Sequence, residues 1–128
     1  MVETAFGVLL RGLREDRDLS LRELAQEAAV DHAYIYRLET GDKEAPSDEV
    51  INKLIAALSP DSRYREMLKL LASQSNIDPA LVGFARSDAS VSFDEFRMLT
   101  TVVNRGARPD YQTSLSRIRR FMSEDGDG

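Results

Sequence analysis

Apolar residues in this chain recur at three- and four-residue spacings in window after window, a rhythm that admits amphipathic helices and little else. Phe6, Leu9, Leu10 and Leu13 form a first stripe, and Leu21, Leu24, Ala25 and Ala28 a second. Ser20, with Glu23 three residues on, is a capping box that opens the second helix. Asp31 is a good N-cap for a short third helix that turns Ile35 and Leu38 inward and stops at Gly41. Ser47 caps a fourth bearing Ile51, Leu54, Ile55 and Leu58, and Ser59-Pro60 ends it and leads into a fifth with Tyr64, Met67, Leu68 and Leu71.

Residues 74–92 are richer in Ser, Asn, Asp and Ala, contain Pro79 and Gly83, and read as a loop around one short helical segment. Beyond it, Ser92 and Glu95 make a second capping box for a helix with Phe96, Leu99, Val102 and Val103 on one face, expected to end at Gly106. Pro109 starts a last helix striped by Tyr111, Leu115, Ile118 and Met122. No useful period-two alternation and no internal repeat appears, so the fold class is all-α. The expected organisation is a five-helix domain over 1–73, a small helical C-terminal module over 74–123, and a disordered acidic tail over 124–128.

Composition narrows the chemistry. With no Cys and a single His, disulfides, thiolate catalysis and multi-imidazole metal sites are excluded, and no cofactor or metal is expected. Apolar runs such as Leu54–Leu58 are far shorter than the roughly 20 residues a membrane span requires, and no leader opens the chain, so a cytoplasmic location is expected. There is no nucleophile–base pair and no phosphate-binding glycine loop, so an enzyme is not expected. The net charge of −5 lies wholly in residues 1–58, where seven cations face twelve anions.

The helices Ser20 to Ala28 and Asp31 to Glu39, joined by a short turn and preceded by one amphipathic helix, have the plan of a helix-turn-helix. Through Leu13-Arg14, Ser20-Leu21-Arg22-Glu23-Leu24-Ala25, Ile35-Tyr36-Arg37-Leu38-Glu39-Thr40-Gly41 and Pro46, about 58 residues closely resemble the XRE family of Cro/cI-type repressors. The resemblance implies that the helix after Asp31 lies in the major groove. There Arg37 would contact guanine, His32 a base or phosphate, Ala33 a thymine methyl, and Tyr36 would offer its ring and hydroxyl. Tyr34 either joins them or packs on the first helix. Ser20, Arg22 and Lys43 would hold phosphates, while Arg14 and Glu39 match an internal salt bridge of related repressors.

Two departures stand out. Ala29 occupies the turn position usually held by glycine, and Asp31, Asp42 and Glu44 lie on or near the expected DNA face, where they repel phosphate. A homodimer on two half-sites of a palindromic operator would restore affinity. Its interface is expected from Phe96, Leu99, Val103, Leu115, Ile118 and Met122, the alternative being that these helices complete an intrachain core. Arg117, Arg119 and Arg120 read as a solvated face opposing the helix dipole.

Phe96 to Met122, with Asn104-Arg105-Gly106-Ala107-Arg108-Pro109 between its helices, resembles the C-terminal end of DdrO-type repressors. That family implies a zinc metallopeptidase partner, a scissile bond near Asn104-Arg105, and loss of the dimer on cleavage. The functional expectation is a dimeric, sequence-specific transcriptional repressor released by such a partner. The alternative is an antitoxin-like adaptor that holds a toxin or other protein, with DNA binding secondary or absent.

Overall fold

The computed structural model describes residues 3–102 and 110–126. Among the described residues eight α-helices follow one another: α1 (Ala5–Asp16), α2 (Leu21–Ala28), α3 (His32–Thr40), α4 (Asp48–Leu58), α5 (Ser62–Ser73), α6 (Pro79–Ser87), α7 (Phe93–Leu99) and α8 (Tyr111–Gly126). The described residues contain no strand, and the fold is all-α.

Each helix start is written locally. Thr4, Ser20, Asp31, Ser47, Asp61, Asp78 and Ser92 each accept a hydrogen bond from a first-turn amide of the helix that follows, satisfying a donor that has no acceptor inside the helix. Both expected capping boxes are closed, at Ser20–Glu23 and Ser92–Glu95. The cap of α5 is Asp61, one residue past the expected Pro60. Asp110 caps α8, its carboxylate accepting from the Thr113 amide at 3.1 Å and the Thr113 hydroxyl at 2.7 Å.

α1 is the central wall. It packs against α3, α5 and α6, while α2 rests on α3 and α4, α5 on α4 and α7, and α7 on α8. The approach of α1 to α3 is close enough that a Cβ on Gly7 would lie 2.5 Å from the Leu38 carbonyl oxygen and 2.8 Å from that of Glu39, so only glycine fits there.

One cluster of buried side chains runs from Ala5 to Leu115, crossing position 74 without a break. α6 contributes Leu81, Val82 and Ala85 to it, and Arg86 of α6 reaches Asp16 of α1 through hydrogen bonds of 2.8 and 2.9 Å. The segment expected to be mostly loop thus supplies a helix that leans on the first. Arg63 of α5 secures the far side by donating to the carbonyls of Ala85, Asp88 and Val91 at 3.1, 3.3 and 2.8 Å.

Three boundaries differ from expectation. α7 ends at Leu99, where Thr100 and Thr101 turn their hydroxyls back onto the Arg97 and Met98 carbonyls, so it does not reach Gly106, which lies outside the described residues. α8 starts at Tyr111 and continues to Gly126, so residues 124–126 are helical where a disordered tail was expected. Arg119 is no bystander on a solvated face: it donates to Glu95 at 2.8 Å and to Ser90, tying α8 to the start of α7.

Candidate nucleic-acid interface

The turn between α2 and α3 depends on Ala29, whose φ of 57° and ψ of 43° are left-handed. That conformation lets the Val30 amide turn back to the Ala25 carbonyl at 3.1 Å, closing α2 and swinging the chain toward Asp31. Gly41, with φ 85°, ends α3 in the same left-handed region. The loop after it folds back, the Lys43 amide donating to the Arg37 carbonyl at 3.2 Å.

Behind this face lies the Arg14–Glu39 pair. Arg14 Nε donates to Glu39 Oε2 at 2.7 Å and Nη2 to Oε1 at 2.9 Å, while Nη1 reaches the Leu19 carbonyl at 2.8 Å. Glu39 is buried, and the fork geometry joins the end of α1 to the inner side of α3. The Glu39 hydrogen bond holds the guanidinium of Arg14 more firmly protonated than usual. The pair ties α1 to α3 from the inner side.

On the outer side, His32, Tyr36 and Arg37 are exposed, Tyr36 at 50%. Ala33 and Tyr34 are half-buried, Tyr34 packing in part against the core. Among the described residues, Arg22, Arg37 and Lys43 form no ion pair within 4 Å. Their charges therefore face solvent. Ser20 is committed to its capping box, with its hydroxyl accepting from the Glu23 amide at 3.0 Å. The Ser20 amide in turn holds the Glu23 carboxyl below the usual glutamate range.

The acid at the start of α3 has a local explanation: Asp31 Oδ2 accepts from the Tyr34 amide at 3.2 Å as the N-cap. Asp42 and Glu44 are exposed beside Lys43. Between α2 and α3 lies an open groove of about 300 Å³ lined by Arg22, Ala25, Gln26, Val30, Asp31 and His32. Gln26 was missed in the sequence. Its spacing of four residues from Arg22 places both on one exposed strip of α2, and that signal was available.

At the other end of the chain, Phe96, Leu99 and Leu115 are fully buried inside this chain at 0–1% exposure, so their side chains belong to the intrachain core. Ile118 is half-buried, and Met122 is exposed at 45% together with Phe121 at 58%, a residue the sequence reading did not single out. Val103, Asn104 and Arg105 lie outside the described residues. Tyr111 donates to Asp78 at 2.7 Å, and burial together with that carboxylate pushes its hydroxyl above the usual tyrosine range. Among the described residues no cluster of His, Asp or Glu is arranged to hold a metal ion, and no helix is long and apolar enough to cross a membrane.

A short second helix, a left-handed turn, a third helix exposed along one side and an internal pair behind it make up a helix-turn-helix arrangement. Residues 5–61 match the family model described as a helix-turn-helix domain. The chain is also similar to the HTH-type transcriptional repressor RghR of Bacillus subtilis (strain 168), at 43% identity over 54 residues. That match spans 42% of this chain and 40% of the relative.

Proposed function

We propose that this protein is a transcriptional repressor that binds a palindromic DNA operator as a homodimer, with α3 in the major groove. The observation that carries the reading is the outer side of α3, where His32, Tyr36 and Arg37 are exposed and Arg37 has no ion-pair partner among the described residues. Arg37 reads guanine, His32 and Tyr36 meet neighbouring bases or phosphate, and Ala33 touches a thymine methyl. Arg22 and Lys43 flank the helix as phosphate contacts, joined by the first-turn amides of α2 that follow Ser20. The similarity to a repressor in the helix-turn-helix part supports the same reading.

Fluorescence anisotropy against the DNA upstream of the gene, with scrambled duplex as control, tests it. Selective binding should weaken with salt, and Arg37→Ala should cost about 1–3 kcal/mol of operator binding without unfolding the chain. Unchanged affinity in that variant would sink the proposed docking.

For the dimer, the outward end of α8 is the proposed contact. Phe121 and Met122 follow Leu115 and Ile118 beyond the intrachain core, and α8 is tied down by Tyr111 on Asp78 at its start and Arg119 on Glu95 farther along. Sedimentation of a Phe121→Asp, Met122→Asp double variant should give monomer if this end joins two copies. A metallopeptidase cut near Asn104-Arg105, as the DdrO resemblance implies, would sever α8 from α7 and end the dimer. Co-incubation with a neighbouring peptidase should then yield a fragment ending there, and an intact chain would dismiss the release mechanism.

The antitoxin-like reading keeps one specific support, the same exposed Phe121 and Met122, which fit a protein partner equally well. It predicts partner capture that Arg37→Ala leaves untouched, with DNA binding secondary or absent.

A further inference from the structure

We infer that the cavity at the root of the Lys43 loop is a binding site for a small apolar α-amino acid, valine being the closest in size, and that filling it weakens DNA binding. The site stands on its own geometry. Its effect on DNA rests on the DNA-binding reading above and adds a regulatory input to it.

The start of α1, the end of α5 and the loop after α3 converge on a cavity of about 80 Å³. Its floor is apolar and buried, with Ala5 and Phe6 each 4% exposed and Leu71 2%. An apolar cavity of about 150 Å³ accepts the six carbons of benzene, so this one takes about three, the isopropyl group of valine. Its rim carries both signs of charge. Lys43 and Glu44 are exposed neighbours on it, and neither forms an ion pair within 4 Å among the described residues. An α-amino acid answers both from a single carbon, its carboxylate pairing with the Lys43 ammonium and its ammonium with the Glu44 carboxylate. A short fatty acid would bring its carboxylate up against Glu44, and an alkylamine its ammonium against Lys43, so each meets a like charge. Gln74, also on the rim, can donate to the one group or accept from the other.

The same loop belongs to the proposed DNA interface. Gly41, which also lines the cavity, ends α3, and the Lys43 amide donates to the Arg37 carbonyl at 3.2 Å, so the rim begins where the recognition helix stops. A Lys43 ammonium engaged by the ligand is lost to the DNA phosphate. The zwitterion adds no net charge, so the field of the protein at long range is unchanged and the effect is the loss of that one contact.

The test begins without DNA, titrating the isotope-labelled full chain with L-valine and following its amide resonances. Those of Gly41, Lys43, Glu44 and Ser75 should shift and saturate at about millimolar ligand, the range for so small a molecule. Lys43→Gln and Glu44→Gln should each weaken binding about tenfold, with the rest of the spectrum reporting an intact fold. Isobutyrate and isobutylamine, which carry the isopropyl group with one charge each, should not saturate. No saturation by valine, binding that both variants leave intact, or equal binding of either analogue overturns the site. In a second step the duplex is one that the chain enriches from a random library. Saturating valine should weaken its binding about tenfold and flatten the salt dependence, as expected when a phosphate contact is withdrawn. Undiminished DNA binding in saturating valine overturns the release and leaves the site standing. Failure to enrich any duplex overturns the repressor reading, while the titration without DNA still decides the site.

Discussion

Ala29 shows how one side chain bears the cost of a turn. A left-handed φ of 57° brings the Cβ of any L-residue against the following carbonyl, a penalty of about 1–2 kcal/mol that glycine escapes. Glycine is also freer in the unfolded chain, which takes back part of the gain. Ala29→Gly should therefore stabilise the fold by about 0.5–1 kcal/mol, read as a higher midpoint in urea unfolding. Gly7 is the opposite case. Its missing Cβ is what allows α1 to lie on the Leu38 and Glu39 carbonyls, so Gly7→Ala should destabilise by about 2 kcal/mol through a forced shift of α3. Ala29 was legible in the sequence because turn position and residue type are local. Gly7 was not, because nothing near it in the chain names the backbone 31 residues away that it must admit.

At the scale of the element, helix starts were readable and long-range ties were not. Ser20 with Glu23, Ser92 with Glu95, and Asp31 announce themselves within four residues. Arg119 and Glu95 lie 24 residues apart and Tyr111 and Asp78 lie 33 apart, and only folding brings them within 2.8 and 2.7 Å. The length of α7 was misjudged for a related reason: Val102 and Val103 continue its apolar pattern, yet the hydroxyls of Thr100 and Thr101 bond back to α7 carbonyls where the helix stops.

The Arg119–Glu95 tie has a pH signature. The Arg119 hydrogen bond, ahead of the Ser92 amide, holds the Glu95 carboxyl below the usual glutamate range. A depressed folded value means the stabilisation is complete at neutral pH and disappears as the carboxyl is protonated, below about pH 4. Arg119→Ala should lower the melting temperature slightly at neutral pH and less in acid, the exposure of Arg119 keeping the effect small. Thermal melts across that range check it, and an equal loss at both ends would assign the effect to packing by the arginine stem.

Across the whole molecule, the helix-turn-helix architecture of the first 58 residues was legible because its caps, core spacing and turn are all local patterns. The continuation of the core past position 74 was not. It rests on α6, which packs on α1 and buries Leu81, Val82 and Ala85 in the core, and on Arg63 and Arg86, which look like ordinary surface cations in the sequence. The pair behind the recognition helix matters at this scale too. Arg14→Met should cost about 3 kcal/mol because it strands a buried carboxylate, whereas Arg14→Met combined with Glu39→Met should cost much less. Denaturant titration of the two variants, with far-ultraviolet circular dichroism as the probe, distinguishes these outcomes.

α1 carries α3 on one side and α6 on another. A strut shared in this way is also a transmission line. Whatever prises α6 from α1, by breaking the Arg86 hold on Asp16 or by loosening the loop that Arg63 gathers, removes the support that holds Gly7 and Arg14 against α3. Amide exchange in α3 should then quicken in step with exchange in α6, although the two helices stand on different sides of α1. An interface built on such a wall can be disarmed from behind, with the exposed residues of α3 untouched.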